Sequence, residues 1–380
     1  MRILFVLPSL TIGGLEKMQV TLANSLRRAG YDITIMILDD KRDLADELDS
    51  EVLLLQKDYK RKLGHKVPYI RHKLYDDGMW ERRATPAALY KYYVGSEKYD
   101  VEIAFFHGLA TKIISGSSNR DAVHLAWVHN DFTKIKSYNA CFTDLNKVRE
   151  AYQKMDSVVC VSESARQGFI EAIGDTGNTK TIYNMLPVNQ IKQMAKEDIP
   201  YRFPKTGLDL VLVGRMIDNH KGQRRLISMV ARLREEGHSL SLTLVGDGDD
   251  RNAIEKHIQK HHAQDFVFLV GAQKNPFPYI AGADMLVCSS YYEGFNLTVA
   301  EALILGVPVI STECTGPCEI LDNGEFGLLT DNSREGLYHA LQTLADDPSL
   351  VEHYRQKAKT REDFFQEDKI LKQITELFSK

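Results

Sequence analysis

Glu293 and Glu301 are two carboxylates with seven residues between them, Gly-Phe-Asn-Leu-Thr-Val-Ala. The glycine after Glu293 and the apolar positions that follow predict a loop running into a helix. The first acid then lies in the loop and the second on the opening turns of the helix, so both can face one crevice. Carboxylates placed this way accept hydrogen bonds from a hydroxyl-rich ligand. The amides of Gly294, Phe295, Asn296 and Leu297, at a helix start, can donate to the same ligand. Either acid taken singly reads as an exposed acid of a capped helix.

Upstream, Gly214-Arg215 and Lys221-Gly222 place two cations six residues apart, just after an apolar run. Arginine offers a planar donor fork and lysine a point charge, and together they suit a diphosphate. Alone, each is an ordinary surface cation. Gly13-Gly14, two residues before Glu16, let backbone amides approach an anion at the start of a first helix. They lack the spacing of the dinucleotide fingerprint, and Asp39 lies too far on to be its acid. A plain tight turn explains them equally well. Asp247-Gly248-Asp249 has the form of a metal-holding pair, but it follows a strand and precedes Arg251. His129, in Trp127-Val128-His129-Asn130-Asp131, and His107, in Phe105-Phe106-His107-Gly108, each follow a strand. A lone histidine there is commonly a satisfied structural residue.

The elements that must carry these groups are short and alternating. Residues 2–7 form a continuous apolar run, which reads as a strand buried on both faces. A glycine turn, a helix over about 16–28 ending at Gly30, and a strand over 32–38 complete a right-handed βαβ unit. Further strands are expected at 52–55, 101–106, 123–128, 157–161 and 179–183. Residues 195–207 are polar and hold Pro200 and Pro204, which marks a linker. A second α/β series follows, with strands at 208–213, 239–245, 267–270, 285–288 and 307–311 and a helix over about 223–236. Two domains result, 1–195 and 205–361, with a terminal helix at about 362–380 crossing back to the first.

Bulk composition bounds the function. With 43% hydrophobic and 26% charged residues, the chain is an ordinary folded protein and not a disordered one. A net charge of −4 makes the whole molecule a poor electrostatic match for nucleic acid. Cys141, Cys160, Cys288, Cys314 and Cys318 are odd in number and scattered, which reads as reduced thiols in a cytoplasmic protein. Cys314 and Cys318 have no second pair at zinc spacing. No signal peptide and no run of the roughly 20 apolar residues that span a bilayer are visible.

Taken together, GGLE at 13–16, GRMIDNHKG at 214–222, GDGDDR at 246–251 and EGFNLTVAE at 293–301 resemble the retaining family 4 glycosyltransferases of the GT-B fold. The likeness spans nearly the whole chain, and its specific part is the paired glutamates with the Arg…Lys-Gly segment. It implies an α/β protein of two Rossmann-like doubly wound domains facing each other across a cleft. By that resemblance Arg215 and Lys221 bind the diphosphate of a nucleotide-sugar donor. Glu293 meets hydroxyls of the transferred sugar, Glu301 the ribose, and the amides from Gly294 to Leu297 the sugar and phosphate. Gly13, Gly14, Gly214 and Gly246 belong to the same donor surface. His129 takes the place where such enzymes often carry a histidine near the reacting sugar, and with Arg215, Lys221 and Glu293 completes the catalytic set. Ser162, Glu163 and Asn184 correspond to positions beside the hinge. Neither a cofactor nor a metal is expected, and the glycine loop at 246–251 matches the family rather than a metal pair.

For the acceptor, residues 57–73 hold seven Lys/Arg and two His against one Asp, with Tyr59 and Tyr69 between. The cations are Lys57, Lys60, Arg61, Lys62, Lys66, Arg71 and Lys73; Arg82 and Arg83 follow. A solvated face is one reading. An anionic membrane surface or a lipid-diphosphate acceptor is the other, each cation near a membrane contributing roughly 1 kcal/mol. The expected reaction moves a hexosyl or N-acetylhexosaminyl unit from a UDP-sugar to a lipid-linked or polysaccharide acceptor in cell-surface glycan synthesis. The place would be the cytoplasm or the inner face of the cell membrane. The competing readings are a sugar-nucleotide epimerase of the same fold and a non-catalytic sugar-nucleotide-binding protein.

Overall fold

A computed structural model describes residues 1–11, 13–56 and 79–379. All seven cations of the 57–73 stretch, Lys57, Lys60, Arg61, Lys62, Lys66, Arg71 and Lys73, lie outside the described residues.

Two compact units divide the chain, Met1–Met185 with Asp368–Lys380 and Leu186–Glu367. The first holds a seven-stranded sheet of β1 (Arg2–Leu7), β2 (Asp32–Ile37), β3 (Leu53–Gln56), β4 (Val101–Ala104), β5 (Val123–Val128), β6 (Ser157–Cys160) and β7 (Thr179–Thr181). The second holds six strands, β8 (Leu208–Val213), β9 (Leu240–Val245), β10 (Val267–Gly271), β11 (Met285–Cys288), β12 (Val309–Thr312) and β13 (Leu328–Thr330). Strand orders are 3-2-1-4-5-6-7 and 10-9-8-11-12-13, and every pairing is parallel. Both are doubly wound Rossmann-like sheets.

The sequence accounts for this directly. A parallel strand covered by helices on both faces reads as a near-continuous apolar run, and residues 3–7 of β1 are all 0% exposed. The helix Gly14–Arg28 buries Met18, Leu22 and Leu26, a spacing of four that keeps one stripe against the sheet. It starts two residues before the expected position, because Gly13 itself takes the extended cap conformation. β13 was not read from the sequence: its three residues are only half-buried and carry no long apolar run.

In each sheet the order reverses beside the first strand, so β8 lies between β9 and β11. Ligands of doubly wound sheets bind outside the carboxyl ends of the strands at such a reversal. The loop bearing Arg215 and Lys221 follows β8, and the loop bearing Glu293 follows β11.

The units part at residue 185 rather than at the polar linker. The helix Val188–Met194 is the reason: the Asn275 side chain donates to the Met194 carbonyl (2.8 Å), and Lys192 pairs with Glu362. At the other end, Phe378 packs edge-on against Tyr31 (5.6 Å), which puts the last residues in the first unit. All five cysteines are free; Cys160, Cys288 and Cys314 are buried, Cys141 and Cys318 half-buried. Among the described residues no helix is long and apolar enough to cross a membrane.

Candidate active site

β8 and β11 pair directly, Met285 opposite Leu210 and Leu286 opposite Val211. Their carboxyl ends therefore deliver the two motif loops side by side. After β8 the chain passes Gly214 and Arg215 into the single turn Asp218–Lys221, which Gly222 ends in the left-handed region (φ 66°). A side chain at Gly222 would come within 2.3 Å of the Ser289 carbonyl. The Ser289 hydroxyl in turn donates to the carbonyls of Lys221 (2.8 Å) and Gly222 (3.2 Å). The two loops are interlocked, and a change in one moves the other.

The charged centre is Lys221 with Glu293. Lys221 Nζ donates to Glu293 Oε1 at 2.6 Å, and the Ser290 hydroxyl donates to the same oxygen at 2.6 Å. Burial opposes the charge on each partner. It is outweighed for Glu293 by Lys221, then His220, then the two hydrogen bonds, and the carboxyl lies below its usual range. Lys221 is likewise held above the usual lysine value, burial being overcome by Glu293. Both are charged at neutral pH. Arg215 stands apart: it is exposed, and its guanidinium makes no hydrogen bond or ion pair among the described residues.

After Glu293 the chain turns through Asn296, whose left-handed backbone (φ 74°) tolerates few residues other than Gly, Asn and Asp. Asn296 caps the helix Leu297–Ile304 by accepting from the Val299 amide, and it donates to Cys288 Sγ (3.0 Å). The amides of Leu297 and Thr298 have no partner among the described residues, so the helix start presents donors suited to an anion. Glu301 sits in the second turn of that helix and is half-buried. Gly294 and Phe295 lie in the buried turn. The Phe295 carbonyl would be 2.4 Å from any side chain at Gly316.

The glycines of the other motifs serve close approach. A side chain at Gly246 (φ 146°) would stand 2.0 Å from the Gly214 carbonyl, so β8 and β9 can end side by side only with glycine there. Asp247, first member of the D-x-D pair, accepts from the Gly248 amide (2.8 Å) and pairs with Arg251 (3.1 Å). Both of its oxygens are thereby engaged by protein groups.

In the first unit Gly13 and Gly14 follow β1 at the carboxyl edge, and the Thr11 hydroxyl donates to Glu16 (3.2 Å). His129 follows β5 and is buried. Its Nε2–H donates to the Phe105 carbonyl (3.0 Å), which leaves Nδ1 as an acceptor, and burial pushes its pKa down to about 3. His107 lies 2.9 Å from the Ser137 hydroxyl and is pushed down to about 4, again by burial. Both rings are neutral near pH 7. Ser162 caps the helix Glu163–Ile173, while Glu163 binds Arg166, Gln167 and Thr181; Arg166 first among these holds its carboxyl at about 2 despite burial. Asn184 is buried. Arg82 donates to the Phe142 carbonyl (3.2 Å), and Arg83 is exposed.

Three groups at the centre were not read from the sequence: Ser290, His220 and Arg225. His220 stacks on Tyr292 (4.4 Å, 11°) with its Nε2 3.7 Å from Glu293 Oε1. Arg225 is 3% exposed and holds the backbone that leads to Glu293. Nε and Nη2 donate to the Ser289 carbonyl, Nη2 also to Ser290 O (2.8 Å) and Asn332 Oδ1 (2.7 Å), and Tyr291 lies over the guanidinium at 3.9 Å. The available signal was position: Arg225 lies four residues after Lys221, amid the buried Leu226, Ile227, Met229 and Val230. An Arg225→Met variant, which leaves these acceptors unpaired, is expected to lose about 3 kcal/mol in urea denaturation. A loss below about 1 kcal/mol would mean the loop is held by other contacts.

Two family models match the chain. One, described as Glycosyltransferase Family 4, matches residues 12–190, and the other, Glycosyl transferases group 1, matches residues 207–347. The chain belongs to glycosyltransferase family 4. The second match contains Arg215, Lys221, Glu293 and Glu301; the first contains Gly13, Gly14 and His129. An uncharacterized glycosyltransferase of Methanocaldococcus jannaschii is 31% identical over 266 residues, 64% of each chain. The N-acetylgalactosamine-N,N'-diacetylbacillosaminyl-diphospho-undecaprenol 4-alpha-N-acetylgalactosaminyltransferase of Campylobacter jejuni is 28% identical over 58% of this chain and 59% of its own. The chain thus spans about three fifths of the length of these curated relatives. Among solved structures, Anabaena HepE in complex with UDP-glucose superposes with a TM-score of 0.75 at 19% identity, covering 99% of this chain and 98% of that one. A variant of S. aureus TarM in complex with UDP gives 0.77 at 15%, covering all of both chains. These likenesses establish for this family 4 glycosyltransferase the GT-B type of fold, two Rossmann-like parallel-sheet units.

Proposed function

We propose that this glycosyltransferase moves a hexosyl or N-acetylhexosaminyl unit from a UDP-sugar to a lipid-linked or polysaccharide acceptor, with retention, in bacterial surface-glycan synthesis. The observation that carries the proposal is the juxtaposition at the carboxyl ends of β8 and β11 of Arg215, exposed and without a side-chain partner among the described residues, with the buried Lys221–Glu293 pair. Breaking the anomeric C–O bond puts charge on the departing diphosphate. Arg215, Lys221 and the open amides at Leu297 and Thr298 neutralise that charge as it grows, each preorganised donor contributing on the order of 3 kcal/mol. Glu293 accepts from hydroxyls of the sugar, Glu301 from the ribose. The chemistry needs no cofactor and, with two cations and helix-terminal amides at the diphosphate, no metal.

Uridine as the base is supported by the UDP bound to the HepE and TarM proteins. The acceptor class is supported by the C. jejuni relative, named for a diphospho-undecaprenol substrate, and by a Rhizobium meliloti relative named for lipopolysaccharide core biosynthesis, 28% identical over 60% of this chain. A lipid-linked acceptor would bring the chain to the inner face of the cell membrane, where the basic 57–73 segment suits anionic lipid. The test is UDP release from a UDP-sugar with and without lipid-linked glycan extracted from bacterial membranes. Release is expected to depend on the added acceptor, with label appearing in the glycan. Turnover of the donor that ignores the acceptor and yields a free epimeric sugar would replace transfer by epimerisation.

A further inference from the structure

Lys221 has two claimants. Glu293 Oε1 holds it at 2.6 Å, and on the donor reading above a diphosphate drawn to Arg215 requires the same ammonium. One cation cannot neutralise both anions at full strength in a buried site. When the diphosphate takes Lys221, Glu293 is left with the neutral Ser290 hydroxyl.

One further basic group reaches that carboxylate. His220 Nε2 lies 3.7 Å from Glu293 Oε1, and among the described residues Lys221 is the other basic group within 4 Å of it. The imidazole is kept there from two sides. Its ring is stacked on Tyr292 at 4.4 Å and 11°, and its backbone carbonyl accepts from the Tyr291 amide at 2.8 Å. Tyr291 is in turn set by the buried Arg225. The charged and polar groups facing the ring are Glu293 from the loop after β11, Lys221 on its own turn, Arg215 from the loop after β8, and the Tyr292 backbone. Burial, Lys221 and Arg215 disfavour a proton on the ring, Glu293 and Tyr292 favour it, and the balance lies below the ordinary histidine value.

We propose that His220 couples donor binding to proton uptake: as the diphosphate takes Lys221, His220 binds a proton and replaces it as the cationic partner of Glu293. The inference rests on the donor reading of this site. The proton comes from solvent, converts imidazole to imidazolium, and no other bond is made or broken. The sign follows from the groups just named. Diphosphate charge cancels the repulsion from Lys221 and Arg215, while Glu293 loses its competing partner, so the ring holds its proton more tightly in the complex. Between the free and bound values the complex carries more protons than its components, and donor affinity rises as pH falls through that window, by at most about tenfold per pH unit.

The experiment is calorimetric titration of the full chain with UDP-glucose and with UDP-N-acetylglucosamine, between pH 6 and 7.5, in buffers of differing ionisation enthalpy. Their phosphates are diesters and do not titrate there, so proton exchange reports the protein. The wild type is expected to take up roughly half a proton or more per donor near pH 6.5. In His220→Gln the uptake falls to near zero and the pH dependence of affinity flattens. In parallel, the His220 ring resonance in the wild type is expected to titrate at higher pH with donor than without. Binding without proton uptake, uptake unchanged in His220→Gln, or a resonance midpoint that donor leaves in place would each overturn the coupling. A wild-type chain that binds neither nucleotide sugar overturns the donor reading itself, a different outcome from binding without uptake.

Discussion

Replacing Arg215 by alanine is expected to lower turnover at saturating donor by about a hundredfold or more while leaving the fold intact. The side chain is exposed and makes no hydrogen bond or ion pair among the described residues, so its removal breaks nothing in the free protein. Exposed substitutions of this kind stay within about 0.5 kcal/mol of the parent. On the proposed function this exposed guanidinium, beside a buried ion pair, stabilises negative charge that develops on the donor. Steady-state rates and a thermal melt on the same preparation check both halves. A near-normal rate in Arg215→Ala removes it from the diphosphate site, and a large drop in melting temperature would make it structural.

Lys221→Met carries the second large effect, with the opposite signature in stability. The aliphatic stem remains, but Glu293 keeps a buried charge without its main counter-ion. Removing one partner of such a pair costs about 3 kcal/mol or more, on the order of 10 °C in the melting temperature of the unit that holds it. Turnover falls by about two decades as well, because the diphosphate loses its second cation. Adding Glu293→Gln separates the two losses. The neutral amide no longer needs a counter-charge, so most of the stability returns, while turnover stays low or falls further. If the double variant is as unstable as Lys221→Met, the ion pair is not what that substitution broke.

These contrasts also mark what could be read from residues alone. Apolar runs dictated β1 and β8, because a parallel strand covered on both faces is apolar along nearly all its length; Asp209 of β8 is buried but accepts from Ser241. Glycine turns dictated where the loops must open. The eight-residue step from Glu293 to Glu301 was legible as loop then helix, and Asn296 at φ 74° is the residue that makes the corner. What stayed hidden depends on contacts distant in sequence. Ser290 looks like any loop serine until its hydroxyl is found on Glu293. Arg225 looks like a surface cation of an amphipathic helix until Ser289, Ser290 and Asn332 are seen to converge on it, the last 107 residues away. The end of the first unit misled for a related reason. Proline and charge mark 195–207 as a linker, yet the helix Val188–Met194 before it already packs with the second unit. Histidine roles were the least legible: nothing local tells that His129 is neutral and donates to Phe105, or that His220 faces Glu293.

The most direct measurement is thermal denaturation of the wild type and of Arg215→Ala with a panel of UDP-, GDP- and ADP-sugars. At about 100 times its dissociation constant the right donor stabilises by roughly 2.7 kcal/mol. The result expected is a rise in melting temperature of the wild type with a UDP-sugar, lost or sharply reduced in Arg215→Ala at the same concentration. No stabilisation by any nucleotide sugar, or equal stabilisation of both proteins, would contradict a donor site built on Arg215, Lys221 and Glu293.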